Sequence, residues 1–153
     1  MSEIRRAAES DIVSLVWMAR KSHPYGPYAS FQFRVEAARK EFVFALNHPQ
    51  RLVLVAVHDD IVGFAYCKHH RPRFVRESII ELCDVWLEPN RDPHNALVPK
   101  LWAAISTWGS NLRAAHVVWN CDFSYIPFQT TKTLTKMGIK KVEMQCNFAA
   151  LTD

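Results

Sequence analysis

Apolar positions along this chain recur at two spacings, and the switches between them lay out a domain. Alternation at residues 4–7 marks a short strand at a sheet edge. From there the spacing turns helical, with Ile12, Leu15, Val16 and Ala19 on one face. Ser10 is placed to cap the free amides, and Asp11 suits the positive end of that helix. Residues 23–31 hold two prolines and a glycine and read as a loop. A second helix is predicted over 33–46, where Val35, Ala38, Phe42 and Leu46 share a face. Residues 51–58 and 61–67 are apolar and rich in β-branched side chains, and Asp59-Asp60 turns one into the other as a hairpin.

The second half alternates strands with helices. A strand is predicted over 78–87, closed by Pro89, and a helix over 95–108 with Leu97, Leu101, Ile105 and Trp108 on one face. Pro99 fits that helix only in its first turn, where a missing amide loses no partner. Gly109 is read as its stop. A strand over 115–121, a helix from Pro127 to Met137 stopped by Gly138, and a strand over 142–151 complete the order. The expected fold is a mixed α/β (α+β) domain spanning 1–153, with six to seven strands and about four helices.

Composition narrows the function classes. No apolar run approaches the ~18 residues that cross a bilayer, and the N-terminus lacks an apolar leader core, which points to the cytoplasm. Cys67, Cys83, Cys121 and Cys146 all fall in apolar, strand-like runs, as buried free thiols would, rather than in the close pairs of disulfide or metal sites. The seven histidines show no metal-ligand spacing, so no metal is expected. A net charge of +4 suits an anionic small ligand but falls short of the continuous basic stripe of a nucleic-acid binder. Lys68, Arg71, Arg73 and Arg76 cluster locally as a solvated loop, or as a rim for phosphate or an acidic partner. The tryptophans lie on apolar stripes and are expected in the core, with Trp86 the candidate ligand wall; Tyr25 and Tyr28 are candidates to line a pocket.

The order of elements and its local marks resemble the GNAT superfamily of acyl-CoA-dependent N-acyltransferases. IRRAAESDIVSLVWMA is similar to that family's opening strand and helix, and LVLVAVHDDIVGFAYCKHH to its central hairpin, where Gly-Phe follows an acidic turn. ELCDVWLEP resembles its fourth strand, and the stretch from Ala115 to Phe148 its last third, where a helix ends in Gly-hydrophobic. The resemblance spans nearly the whole chain. It implies an acetyl-CoA co-substrate, an amine acceptor (small molecule or protein), direct transfer without a metal, and a fold whose strand edges often pair into homodimers. A carboxylate on the fourth strand would be the base, and Glu81 matches its place, with Asp84 as the other candidate. Strict alternation puts Glu81, Cys83, Val85 and Leu87 on one face, and Leu82, Asp84, Trp86 and Glu88 on the other. A main-chain amide among Val85, Trp86 and Leu87 would meet the thioester oxygen.

This chain departs from the resemblance at two places. The cofactor loop, glycine-rich in the family, reads NRDPHNALVPK here, leaving Arg91, His94, Asn95, Ala96 and Leu97 to hold the diphosphate. Asn95 can adopt the left-handed backbone that glycine supplies, whereas Pro93 removes a donor and Asp92 adds a repelling charge. The tyrosine that often protonates the departing thiolate is replaced by Leu134. These departures suit a second reading as well: a member of the same fold, for example phage-encoded, that binds or builds without transferring acetyl groups.

Overall fold

The computed structural model describes residues 2–25, 28–92, 96–120 and 142–145, the last four by backbone alone. Six strands form one sheet in sequence order: β1 Ser2–Arg6, β2 Arg51–His58, β3 Asp60–His70, β4 Ile79–Leu87, β5 His116–Asn120 and β6 Val142–Gln145. The first four pair antiparallel, and β4, β5 and β6 run parallel. Short turns suffice for the hairpins, while the parallel step from β4 to β5 needs the crossover helix α3, Leu97–Asn111. Helices α1, Ile12–Ser22, and α2, Val35–Leu46, cover the opposite face. The helix expected over 127–137 lies outside the described residues. Among those described, no helix is long and apolar enough to cross a membrane.

Two cores result. Leu52, Leu54, Ala65, Ile80 and Leu82 meet Leu101, Trp102 and Ile105 of α3 on one face. On the other, Val53, Val55, Phe64, Tyr66 and Trp86 meet Leu15, Val16 and Ala19 of α1 and Phe42 of α2. Trp17, expected in the core, is instead 57% exposed; its stripe faces outward, and Arg20 lies 5.7 Å from its ring.

Several local expectations are corrected. Ser10 does not cap α1; a 3-10 turn, Glu9–Asp11, precedes the helix, and the buried Asp11 reaches back to accept the Ala8 amide at 2.7 Å. Arg5 holds the same carboxylate at 2.7 and 3.1 Å, tying β1 to the start of α1. Gly109 does not stop α3, which runs on to Asn111. A Cβ there would stand 3.0 Å from Ile80 Cγ1, so this glycine lets the helix lie close on the sheet. The helix ends instead at Arg113, with φ 57, where the Ala114 amide closes onto the Gly109 carbonyl at 2.9 Å.

The largest correction concerns alternation in β4. Tyr66 faces Asp84, but the next residue of β3, Cys67, faces Leu82, leaving Cys83 as an extra residue in a β-bulge. Facing therefore inverts across it. Ile80 and Leu82 pack toward α3 before the bulge, and Val85 does so after it, while Cys83 and Trp86 pack toward α1 and α2. Asp84 also reaches α1, at Ser22. Glu81 lies opposite Lys68, whose Nζ sits over the Tyr66 ring, so Glu81 faces the α1 and α2 side too. Both candidate carboxylates share one face, against the opposite faces that strict alternation predicts.

Candidate active site

Among the described residues, β4 pairs with β5 from Ile79 opposite His116 to Leu82 opposite Trp119 and with β3 along its whole length; the residues that directly follow Asn120 lie outside those described. The Glu88 amide donates to Val62 O at 2.7 Å. Antiparallel alternation then turns the amides of Leu87 and Val85 away from β3. Gly63 sits under this segment so closely that a Cβ would meet Trp86 O at 2.5 Å.

Asp84 follows the bulge directly. Ser22 Oγ is 2.7 Å from Asp84 Oδ1 and 3.0 Å from Ala19 O. One hydroxyl proton cannot serve both acceptors at once. With Asp84 ionised, Ser22 donates to it; with Asp84 protonated, the acid can donate to Ser22, which turns its own proton to Ala19 O. Burial pushes the Asp84 carboxyl up to about 7, against the opposing pull of the Ser22 hydroxyl and the Val85 amide. A Lys21–Glu88 ion pair fastens the end of α1 beside this point.

Glu81 stands on the same face with its Oε2 3.0 Å from His70 Nε2, in a more solvated position at the β3–β4 end. Between the carboxylates, burial raises the Cys83 thiol to about 12, and it raises the enclosed Cys67 thiol well above its usual value. Neither is a nucleophile near neutrality. Tyr66 donates to Glu41, and burial first, then that carboxylate, holds its phenol protonated. Among the described residues no cluster of histidine, cysteine or carboxylate side chains could hold a metal ion. Cys121 and Cys146 lie outside them.

The residues expected to hold the cofactor separate in space. Val85 and Leu87 contribute to the β4 edge, whereas the Trp86 side chain is buried against α1 and α2 and forms no open wall. Arg91 is drawn off to Asp60, at 2.6 Å. Leu97 is enclosed, so only its backbone can serve a ligand, and Ala96 precedes it as the N-cap. His94, Asn95 and Leu134 lie outside the described residues. Tyr28 is exposed and packs edge-on against Phe31 at 6.2 Å; the side chain of Tyr25 is outside the described set. Arg71, Arg73 and Arg76 are exposed, as a solvated loop requires.

Asp92 Oδ1 accepts the Leu97 amide at 2.9 Å. The positive end of α3 thus holds an internal carboxylate oxygen, which a diphosphate seated there would have to displace. The Leu87 amide, turned off β3, is the group of β4 that an acyl-thioester arm would meet. Ser22 and the capping role of Asp92 were not found by sequence reasoning. Ser22 gives only the weak signal of a hydroxyl in the last turn of a helix, and Asp92 that of a carboxylate five residues before an enclosed leucine.

No protein-family model matches the sequence, and a search of curated proteins finds no match. Solved structures do resemble it. An aminoglycoside N-acetyltransferase, AAC(6')-Iy, in complex with CoA superposes with a TM-score of 0.72 at 14% identity, covering 95% of this chain and 92% of that one. The aminoglycoside 6'-N-acetyltransferase AAC(6')-Ih from Acinetobacter baumannii gives 0.70 at 11% identity, covering 97% of each chain. Glucosamine-6-phosphate N-acetyltransferase from Arabidopsis thaliana gives 0.68 at 14% identity, covering 97% of this chain and 99% of that one. The fold is that of the GNAT acetyltransferases.

Proposed function

We propose that this protein is an N-acetyltransferase that moves an acetyl group from acetyl-CoA to an amine by direct attack. The observation that carries the reading is the Asp84 carboxyl, held by Ser22 beside the bulge in β4 and raised toward neutrality, with the Leu87 amide turned off β3 further along the strand. Bound acetyl-CoA would supply a thioester; the chain's own groups do the rest. Val85 and Leu87 lay the arm along the strand, and α3 receives the diphosphate at its N-terminus. The Leu87 amide, turned off β3, donates to the carbonyl oxygen as negative charge gathers there.

Asp84 takes a proton from the incoming ammonium, a role the geometry favours for it over Glu81. A group titrating near the working pH has both the fraction ionised and the basicity that the step needs. The freed amine forms a C–N bond as the C–S bond breaks; the second proton its nitrogen sheds passes to solvent, from which the departing thiolate takes one up. Ser22 steadies Asp84 in either state by turning its hydroxyl. Glu81, with His70, lies further along the same face as a carboxylate that could bind a cationic acceptor.

Titration with acetyl-CoA tests the reading. At 100 times its dissociation constant the ligand should add ~2.7 kcal/mol of stability, seen as a raised melting temperature. The absence of both a thermal shift and calorimetric heat at millimolar acetyl-CoA would overturn it. Binding without transfer to any amine tried would favour the binding-only member of this fold.

A further inference from the structure

We infer that the loop joining β3 to β4, residues 71–78, docks on an anionic lipid surface, with Phe74 inserted and the arginines around it on the headgroups. The inference stands apart from the acetyltransferase reading and rests on what this loop exposes. Phe74 is 98% exposed and Val75 46%, at the tip of the loop. Arg71, Arg73 and Arg76 flank them and are exposed as well, with Glu77 as the one acidic residue of the stretch. An apolar apex ringed by cations suits the boundary between lipid headgroups and acyl chains, where each part meets a matching environment.

The construction of the loop holds that apex out. Its base is fastened: His70 pairs with Ile79, His69 Nε2 lies 2.9 Å from Ser78 Oγ, and the Ala115 amide donates to Ser78 O at 2.8 Å. Beyond the base, the Val75 amide closes a turn onto the Pro72 carbonyl at 3.4 Å, with Phe74 third in the turn at φ 71. That position favours glycine or asparagine, and a bulky side chain there is strained. The strain falls on a residue whose ring the fold leaves in water, so folding gains nothing from it. A membrane offsets the cost by burying the ring. The apex is a protruding turn rather than a groove, and Val75 offers no ring face for a base to stack on. Both features favour a lipid surface over a single-stranded nucleic acid.

The test is co-sedimentation of the full chain with phosphatidylcholine vesicles, with and without about 30% phosphatidylserine. Binding is expected on the anionic vesicles and should be far weaker on the neutral ones. Phe74→Asn keeps the turn, since asparagine tolerates its backbone, and should weaken binding about tenfold. Replacing Arg71, Arg73 and Arg76 together by glutamine should weaken it about a hundredfold. Both variants should melt no lower than wild type, which separates a lost contact from a lost fold. Equal binding to the two kinds of vesicle, no binding at millimolar anionic lipid, or binding that Phe74→Asn leaves unchanged overturns the inference. So does a single-stranded oligonucleotide that strips the protein from the vesicles and loses affinity through the same substitutions, which would assign the loop to nucleic acid.

Discussion

Asp84 and Glu81 differ by three positions in one strand, and their surroundings give them different chemistry. Asp84 is enclosed between β4 and the end of α1, so its ionised form is penalised; Glu81 lies beside His70 nearer the solvent. The rate of transfer should rise about tenfold per pH unit below a midpoint near 7 and level off above it, because only ionised Asp84 accepts the proton. Asp84→Asn should lower kcat by ~100-fold or more, whereas Glu81→Gln should keep the inflection. Ser22→Ala removes a donor that favours the ionised form, and should move the inflection to higher pH. An inflection that follows Glu81 instead would transfer the role to it. The sequence placed both carboxylates on one strand. It could not rank them, because the ranking depends on Ser22, which is distant in the chain and supplied by a different element.

At the scale of elements, β4 depends on one extra residue and one missing side chain. Cys83 makes the bulge that inverts facing, and nothing in ELCDVWL marks where the inversion falls. Periodicity shows that a strand exists, and a bulge is a property of two strands in register. Gly63 is the complement on β3. Alanine there would drive a Cβ to 2.5 Å from the Trp86 carbonyl, a backbone atom that cannot move without shifting β4. Gly63→Ala should cost ~2 kcal/mol or more, read as a lower urea midpoint at unchanged slope. Gly109→Ala meets only the Ile80 side chain, at 3.0 Å, and should cost less because alanine favours the helix. An equal loss at the two positions would refute this account of β4.

At the scale of the whole molecule, two buried carboxylates pull stability in opposite directions with pH. Arg5 first, then the Ala8 amide, holds Asp11 below the usual carboxylate range, so its contribution is present above about 3.8 and is lost as the pH falls through its lowered value. Asp84 is raised from 3.8 to about 7, so the folded state binds the extra proton and loses stability as the pH climbs across that window. Urea unfolding at about pH 5 and about pH 8 should show wild type weaker at the higher pH, and Asp84→Asn should remove most of that difference. Arg5→Ala should cost about 2 kcal/mol near neutrality by stranding the Asp11 charge, and less in acid. A pH profile that Asp84→Asn leaves untouched would show that its carboxyl is not shifted as described.

By itself the sequence determined the order of the described elements, the antiparallel hairpin, the parallel turn to β5 through a crossover helix, and which residues are candidates for chemistry. These are local signals: periodicity, turn residues, and a proline in the first turn of a helix. Tertiary structure decided which of those residues meet. The inversion at Cys83, the meeting of Ser22 with Asp84, the close approach allowed by Gly109 and the capping of α3 by Asp92 are contacts between elements or across a turn. Periodicity reports how a segment is patterned against its own axis, and the partner it will face comes only from packing.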